Sequence, residues 1–162
     1  MGGWTHGVAG MRNHVPGTFV DDYLAYLLAR SSDLISDEFH AVVRRARLPV
    51  LQWRVMAALV EGHALSVGEV AVIVLTPQST LTRVAERMVR AGLLLRESDA
   101  ADRRITRMRL SASGLKLARK LVLQAQAHEG SVLAALTHDD AMALKRILRL
   151  LIEQHAAPGD KA

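Results

Sequence analysis

The chain has 162 residues, half of them apolar but only 4% aromatic, and a formal net charge of +5. That length carries one domain with a full core, and the aliphatic, Leu- and Ala-rich composition favours helices over a β-sandwich. With no cysteine, disulfides, thiolate metal sites and thiol redox chemistry are excluded; no apolar run reaches bilayer-spanning length and no signal-peptide core is seen, so a cytoplasmic protein without a membrane partner is expected.

Residues 1–18 are Gly-rich and aperiodic and read as a flexible arm, with Trp4 its one costly residue to leave in solvent. From 19 to 45 apolar residues recur at helical spacing (Tyr23, Leu24, Leu27, Leu28, Leu34, Ile35, Phe39, Val42, Val43), interrupted by Ser31, Ser32 and Asp33. A helix longer than the usual ~11–12 residues in so small a protein points to packing outside its own domain. Arg44, Arg45 and Arg47 precede Pro49, and a second helix over 52–60 puts Trp53, Met56, Ala57 and Val60 on one face. Residues 63–65 form an extended link able to add a strand to a later hairpin.

Ser66 and Glu69 have the spacing of a capping box for a third helix. Val67, Val70, Ala71 and Val74 form its buried stripe, while Val72 and Ile73 fall where a surface helix would be polar. Thr76 as N-cap and Pro77 at the first helical position restart the chain. In the fourth helix Leu81, Val84, Ala85, Met88 and Val89 make a core face. Gln78, Ser79, Thr82, Arg83, Glu86, Arg87 and Arg90 make the polar one, and Gly92 is the stop.

Two strands follow, with Leu93 and Leu95 alternating in the first and Met108 and Leu110 in the second. The turn between them carries Asp99, Asp102, Arg103 and Arg104. One or both carboxylates are expected to bond turn N–H groups or clamp an Arg. Ser111 and Ser113 can cap a fifth helix over 112–128, and Gly130 with the Thr137 cap separates a sixth, roughly 139–155. Residues 156–162 are a tail.

Charge singles out the middle of the chain. Residues 76–114 hold eight Arg and no Lys against Glu86, Glu97, Asp99 and Asp102, so eight minus four places +4 of the +5 there. Arg suits bidentate contacts to phosphate and guanine. Small polar residues at the start of a helix with Arg further along are what major-groove insertion needs. An Arg-tipped hairpin has the reach for a minor groove. The seven His residues (6, 14, 40, 63, 128, 138, 155) show no metal-ligand spacing, and no phosphate loop, nucleophile elbow or paired carboxylates are present, so neither a metal site nor an enzyme is expected.

Residues 52–62, 79–94 and 98–114 resemble the MarR family of bacterial transcriptional regulators. The Asp-x-x-Asp-Arg-Arg tip (Asp99 to Arg104) followed by a strand and Ser-x-x-Gly (Ser111 to Gly114) is the most specific part. The resemblance spans about 20–155. It implies a mainly α fold: a winged helix-turn-helix lobe with a two- to three-stranded wing at about 48–110, and dimerisation helices at about 19–46 and 112–155, together one domain over 19–155. It implies a homodimer on double-stranded DNA, read as a repressor at a pseudo-palindromic operator. Gln78, Ser79, Thr80, Thr82, Arg83 and Arg87 would then enter the major groove. Arg103 or Arg104 would enter the minor groove, supported by Asp102 with Asp99 as second acid. Phosphate contacts would fall to Arg44, Arg45, Arg47, Arg96 and Arg107.

No cofactor is implied. The effector would be a small aromatic or phenolic acid, in a crevice lined by His40, Arg44, Trp53, Met56 and Met88. Many family members have Gly where this chain has Leu75, just before the recognition helix, and the peroxide-sensing branch is excluded because its Cys is missing. Two other readings stay open: a winged-helix module for protein contacts, kept alive by Val72 and Ile73, and a DNA-binding protein with no effector.

Overall fold

The structure is a computed structural model that describes residues 17–99 and 105–156. The chain divides after Glu38 into two compact units. The first contains a short 3-10 turn, Phe19–Asp21, where Thr18 and Asp21 form a capping box and the Phe19 and Tyr23 rings stack at 5.1 Å. Helix α1, Leu24–Arg45, starts there and continues into the second unit. The interruption expected at Ser31–Ser32–Asp33 is absent. These polar residues are exposed, and Asp33 accepts from Arg30 one turn back at 3.5 Å, so nothing forces the helix to break.

The second unit follows in the order α2 (Val50–Leu59), β1 (Leu65–Ser66), α3 (Val67–Ile73), α4 (Gln78–Arg90), β2 (Leu94–Ser98), β3 (Thr106–Leu110), α5 (Ala112–Leu133) and α6 (His138–His155). The strands form an antiparallel sheet in the order β1-β3-β2, with Leu65 opposite Met108 and Leu94 opposite Leu110. The extended link after α2 thus becomes the third strand of the wing. Helix α5 runs through Gly130 to Leu133 rather than stopping before it. A Cβ at Gly130 would meet nothing within 4 Å, and Ser131 donates back to Ala127 O at 3.2 Å. Thr137 caps α6 by accepting from the Asp140 N–H.

The core of this unit joins the end of α1 (Phe39, Val43), α2 (Val55, Met56, Leu59), α3 (Val70, Ala71), α4 (Leu81, Val84, Ala85, Met88), the strands (Leu94, Met108, Leu110) and α5 (Ala118, Leu121). α1, α2, α4 and α5 contribute residues at i, i+3 or i+4, the expected outcome of one apolar stripe per helix. α6 buries no residue at all. Met142, Leu144, Ile147, Leu150 and Ile152 lie exposed along it, as do Leu24, Leu27, Leu28, Leu34 and Ile35 on α1. Apolar stripes of that length are rarely left to water.

Candidate nucleic-acid interface

Helix α4 is sharply two-faced. Leu81, Val84, Ala85 and Met88 are buried, whereas Gln78, Ser79, Thr80, Arg83, Glu86, Arg87 and Arg90 are exposed. One residue on the polar side is otherwise engaged: the half-buried Thr82 gives its hydroxyl proton to Gln78 O at 2.9 Å, within the helix. The N-cap is Pro77, not Thr76. The first helical bonds run from the Thr80 and Leu81 N–H groups to Pro77 O, and the Thr76 hydroxyl turns back to Val74 O. The Thr76 N–H closes α3 by donating to Ala71 O at 3.0 Å, while the Leu75 N–H donates to Val72 O. These two bonds make a Schellman motif, and the left-handed residue it requires is Leu75 at φ 55. The missing glycine is therefore not avoided by a different turn. Leu75 adopts the glycine conformation and leaves its side chain 86% exposed.

The wing is fixed at its base by Arg107. Its guanidinium Nε donates to Asp99, and Nη1 lies 3.2 Å from Ala64 O and 3.4 Å from Glu69 Oε2. Asp99 thus clamps an Arg, one of the two roles its carboxylate could take. Arg107 itself, expected on phosphate, is spent joining β3, the wing turn and α3. Glu69 also accepts the Ser66 N–H at 2.6 Å while Ser66 Oγ accepts the Glu69 N–H, completing the capping box. The Ser66 hydrogen bonds hold the Glu69 carboxyl below its ordinary pKa, with Arg107 adding to the effect. Asp99 in turn raises that of Arg107. Arg109 on the central strand β3 pairs with Glu97 on the outer strand β2, where Arg96 is exposed. Arg44, Arg45 and Arg47 are exposed around the turn from α1 to α2, where Arg47 takes a second left-handed Schellman position at φ 55. Asp102, Arg103 and Arg104 lie outside the described residues.

Trp53 borders a groove whose other walls are not those expected for the effector crevice. An open groove of about 430 Å³ is lined by Trp53, Arg54, Ala57, Ala58, Ile73, Val74 and Leu75. Met56 and Met88 do not reach it. Both are fully buried in the core, because they occupy the inward stripes of α2 and α4. His40 and Arg44, on α1, do not line it either. The sequence reading missed Arg54, whose signal was only its place beside Trp53. It also missed Leu75, which borders this groove and a second one formed by Gly68, Ala71, Val72, Thr76 and Gln78. Val72 and Ile73, left undecided, are exposed.

Among the described residues no helix is long and apolar enough to cross a membrane, and no cluster of metal-ligating side chains occurs.

Comparison with known proteins gives a consistent result. A model of the MarR family matches residues 48–105. A crystal structure of a MarR family transcriptional regulator from Silicibacter pomeroyi superposes with a TM-score of 0.76 at 43% identity, covering 84% of this chain and 97% of that one. The HTH-type transcriptional repressor IacR of Pseudomonas putida is 28% identical over 96 residues, 59% of this chain and 58% of the repressor, so the match spans little more than half of that relative. A structure of Bordetella bronchiseptica BpsR, whose DNA binding is regulated by 6-hydroxynicotinic acid, is 26% identical with a TM-score of 0.73, covering 88% of this chain and 100% of that one.

Proposed function

The chain belongs to the MarR family of transcriptional regulators, and from that premise we propose that it acts in the cytoplasm as a homodimeric repressor on a pseudo-palindromic operator. The observation that carries this is the division of α4: a wholly buried apolar face against an exposed one of Gln78, Ser79, Thr80, Arg83 and Arg87. Two such helices one turn of duplex apart, ~34 Å, would read successive major grooves. Arg103 or Arg104 would reach the flanking minor groove, and Arg44, Arg45, Arg47 and Arg96 would hold phosphates. Dimerisation is supported by the uncovered apolar stripes of α1 and α6.

The effector reading rests on the groove beside Trp53. A groove that has both Trp53 and Arg54 in its lining offers an aromatic ring and a guanidinium to a flat, anionic ligand, and BpsR answers to such an acid. We assign this chain an aromatic carboxylate of the same chemical class.

The test is operator binding by fluorescence anisotropy on a fragment selected from genomic DNA. Affinity should fall with salt at a slope near −0.9 per neutralised phosphate. Arg103→Ala or Arg104→Ala, and Arg87→Ala in α4, should each cost about 1–3 kcal/mol, while Lys116→Ala, exposed on α5, should cost little. Equal losses from all of these, or no salt dependence between 50 and 200 mM, would remove the proposed surface. The second reading, a protein-docking module, is favoured by the exposed Val72, Ile73 and Leu75. It would gain if these residues, and not Arg87, governed the partner retained.

A further inference from the structure

Helix α4 is closed at its C-terminus by Gly92, at φ 70, whose N–H donates to Val89 O, and by the Leu93 N–H, which donates to Met88 O, both at 2.9 Å. The carbonyl of the same glycine is taken by the start of α5. Ser111 Oγ lies 2.6 Å and Ser113 Oγ 2.7 Å from Gly92 O, and the two hydroxyls are 2.9 Å apart. Each hydroxyl has one proton to give, so two of these three contacts are hydrogen bonds at any instant. One residue further on, Leu93 O accepts the Ser111 N–H at 3.0 Å. Ser111 is at once the N-cap of α5, its Oγ accepting from the Gly114 N–H at 3.0 Å.

Gly114 explains why the two helices come so close. A Cβ there would stand 2.1 Å from Leu93 O and 3.0 Å from Leu93 C. These are backbone atoms, unable to rotate aside as a side-chain end would. Glycine weakens a helix, and here, in the first turn of α5, its absence of a side chain admits the carbonyl. The Leu94–Leu110 strand pair completes the junction. The last turn of α4 and the first turn of α5 are therefore one fastened piece. No comparable set of side-chain bonds is seen at the other end of α4 among the described residues.

We infer that Ser111, Ser113 and Gly114 are positioning residues that fix the direction of the recognition helix to α5, so that the half-site spacing accepted by the dimer is set through this clasp. The inference rests on the reading that α4 enters DNA and that α5 belongs to the dimer region. A clasp that merely stabilised the fold would weaken all DNA alike when loosened. One that positions the helix changes which spacing is preferred, because one base pair rotates the second half-site about a tenth of a turn.

The experiment uses the full chain as wild type, Ser113→Ala and Gly114→Ala. A duplex library selection with wild type gives the site, and anisotropy is then read on that site with its half-sites moved one base pair closer or further apart. Wild type should prefer its own spacing by about ten-fold. Gly114→Ala should reduce that preference at least about five-fold, and Ser113→Ala less so, while sedimentation still shows the wild-type assembly and binding to a single half-site is unchanged. Losses shared equally by all spacings, or an unchanged preference, would overturn the inference. Should Gly114→Ala fail to fold, Ser113→Ala decides, since Ser113 is exposed and the Ser111 cap remains. If wild type selects no site with two half-sites, the dimeric-regulator reading fails before any variant is made, and the clasp's role fails with it.

Discussion

Leu75 and Gly92 stand on either side of the recognition helix, and both adopt left-handed backbone, at φ 55 and φ 70. Both also close a Schellman motif, so the local hydrogen bonding is the same. The residues are not. A side chain in that region costs roughly 1–2 kcal/mol, and the entry turn carries this cost on a leucine that lies exposed between two grooves. At the exit, glycine avoids the cost, and two serine hydroxyls hold its carbonyl. The strained end borders the groove beside Trp53, and the fastened end borders the long helix α5. Free energy stored at one end of α4 and rigidity at the other is a division that single substitutions can probe.

The largest effect is expected between the two ends. Met88 is fully buried in the core, so Met88→Ala should destabilise the fold by about 2–5 kcal/mol in thermal or denaturant melts. A much smaller loss would mean that α4 is held by its ends rather than by its buried face, and would undo the comparison at its root. Next in size is the exit itself: Gly92→Leu should cost about 1–2 kcal/mol, the penalty that Leu75 already carries. No loss there would show that the φ 70 position tolerates side chains, leaving the two ends alike.

Periodicity made the helices and the two-faced α4 legible, because burial of one stripe per helix is a local property of spacing. Ser66, Ser111 and Thr137 were readable as caps for the same reason: the capping bond spans only three residues. Most of what failed depended on distant partners. Thr76 looks like a cap for α4, but its hydroxyl turns back to Val74 O beyond the end of α3. Arg107 belongs to a run of Arg and reads as a phosphate ligand, yet Glu69, 38 positions away, and Asp99 claim its guanidinium. Met56 and Met88 entered the expected crevice through the family resemblance, although periodicity already put Met88 on the core face of α4, and the packing buries both. Arg54 escaped notice because a groove wall made from two helices has no signature in either helix alone. The Ser-x-x-Gly sequence at 111–114 was noticed as a family trait, but its reason, a carbonyl pressed against Gly114, is a contact across 21 residues.

A smaller effect of opposite sign is expected at the entry. Leu75→Gly removes roughly 1–2 kcal/mol of left-handed strain and adds back about 0.5–1 kcal/mol of backbone entropy in the unfolded chain. The net gain is between zero and about 1.5 kcal/mol, measured as a raised midpoint of denaturation. A clear loss would show that the exposed leucine is packed by something at this turn, and the entry would no longer be the strained end.

The smallest effect is a pH dependence at the start of α3, the helix that Leu75 closes. Glu69 caps α3 through Ser66 and meets Arg107, and these partners lower its pKa from the ordinary 4.5. A carboxyl with a lowered folded value stabilises the native state above the unfolded pKa, and that contribution is lost as pH falls through the folded value. Between pH 6 and pH 3, wild type should therefore lose stability relative to Glu69→Gln, which cannot titrate. Asp99 is present in both proteins and shares Arg107 with Glu69, so the comparison reads the loss of the Glu69 charge. The pair is part-exposed, and solvent screening keeps the effect small. Its location is the stronger readout. Hydrogen exchange should show the first-turn amides of α3 losing protection on acidification, while the Gly92 and Leu93 amides, bonded to Val89 O and Met88 O, keep theirs. Parallel loss at both sites would mean that the start of α3 and the exit of α4 open as one cooperative unit.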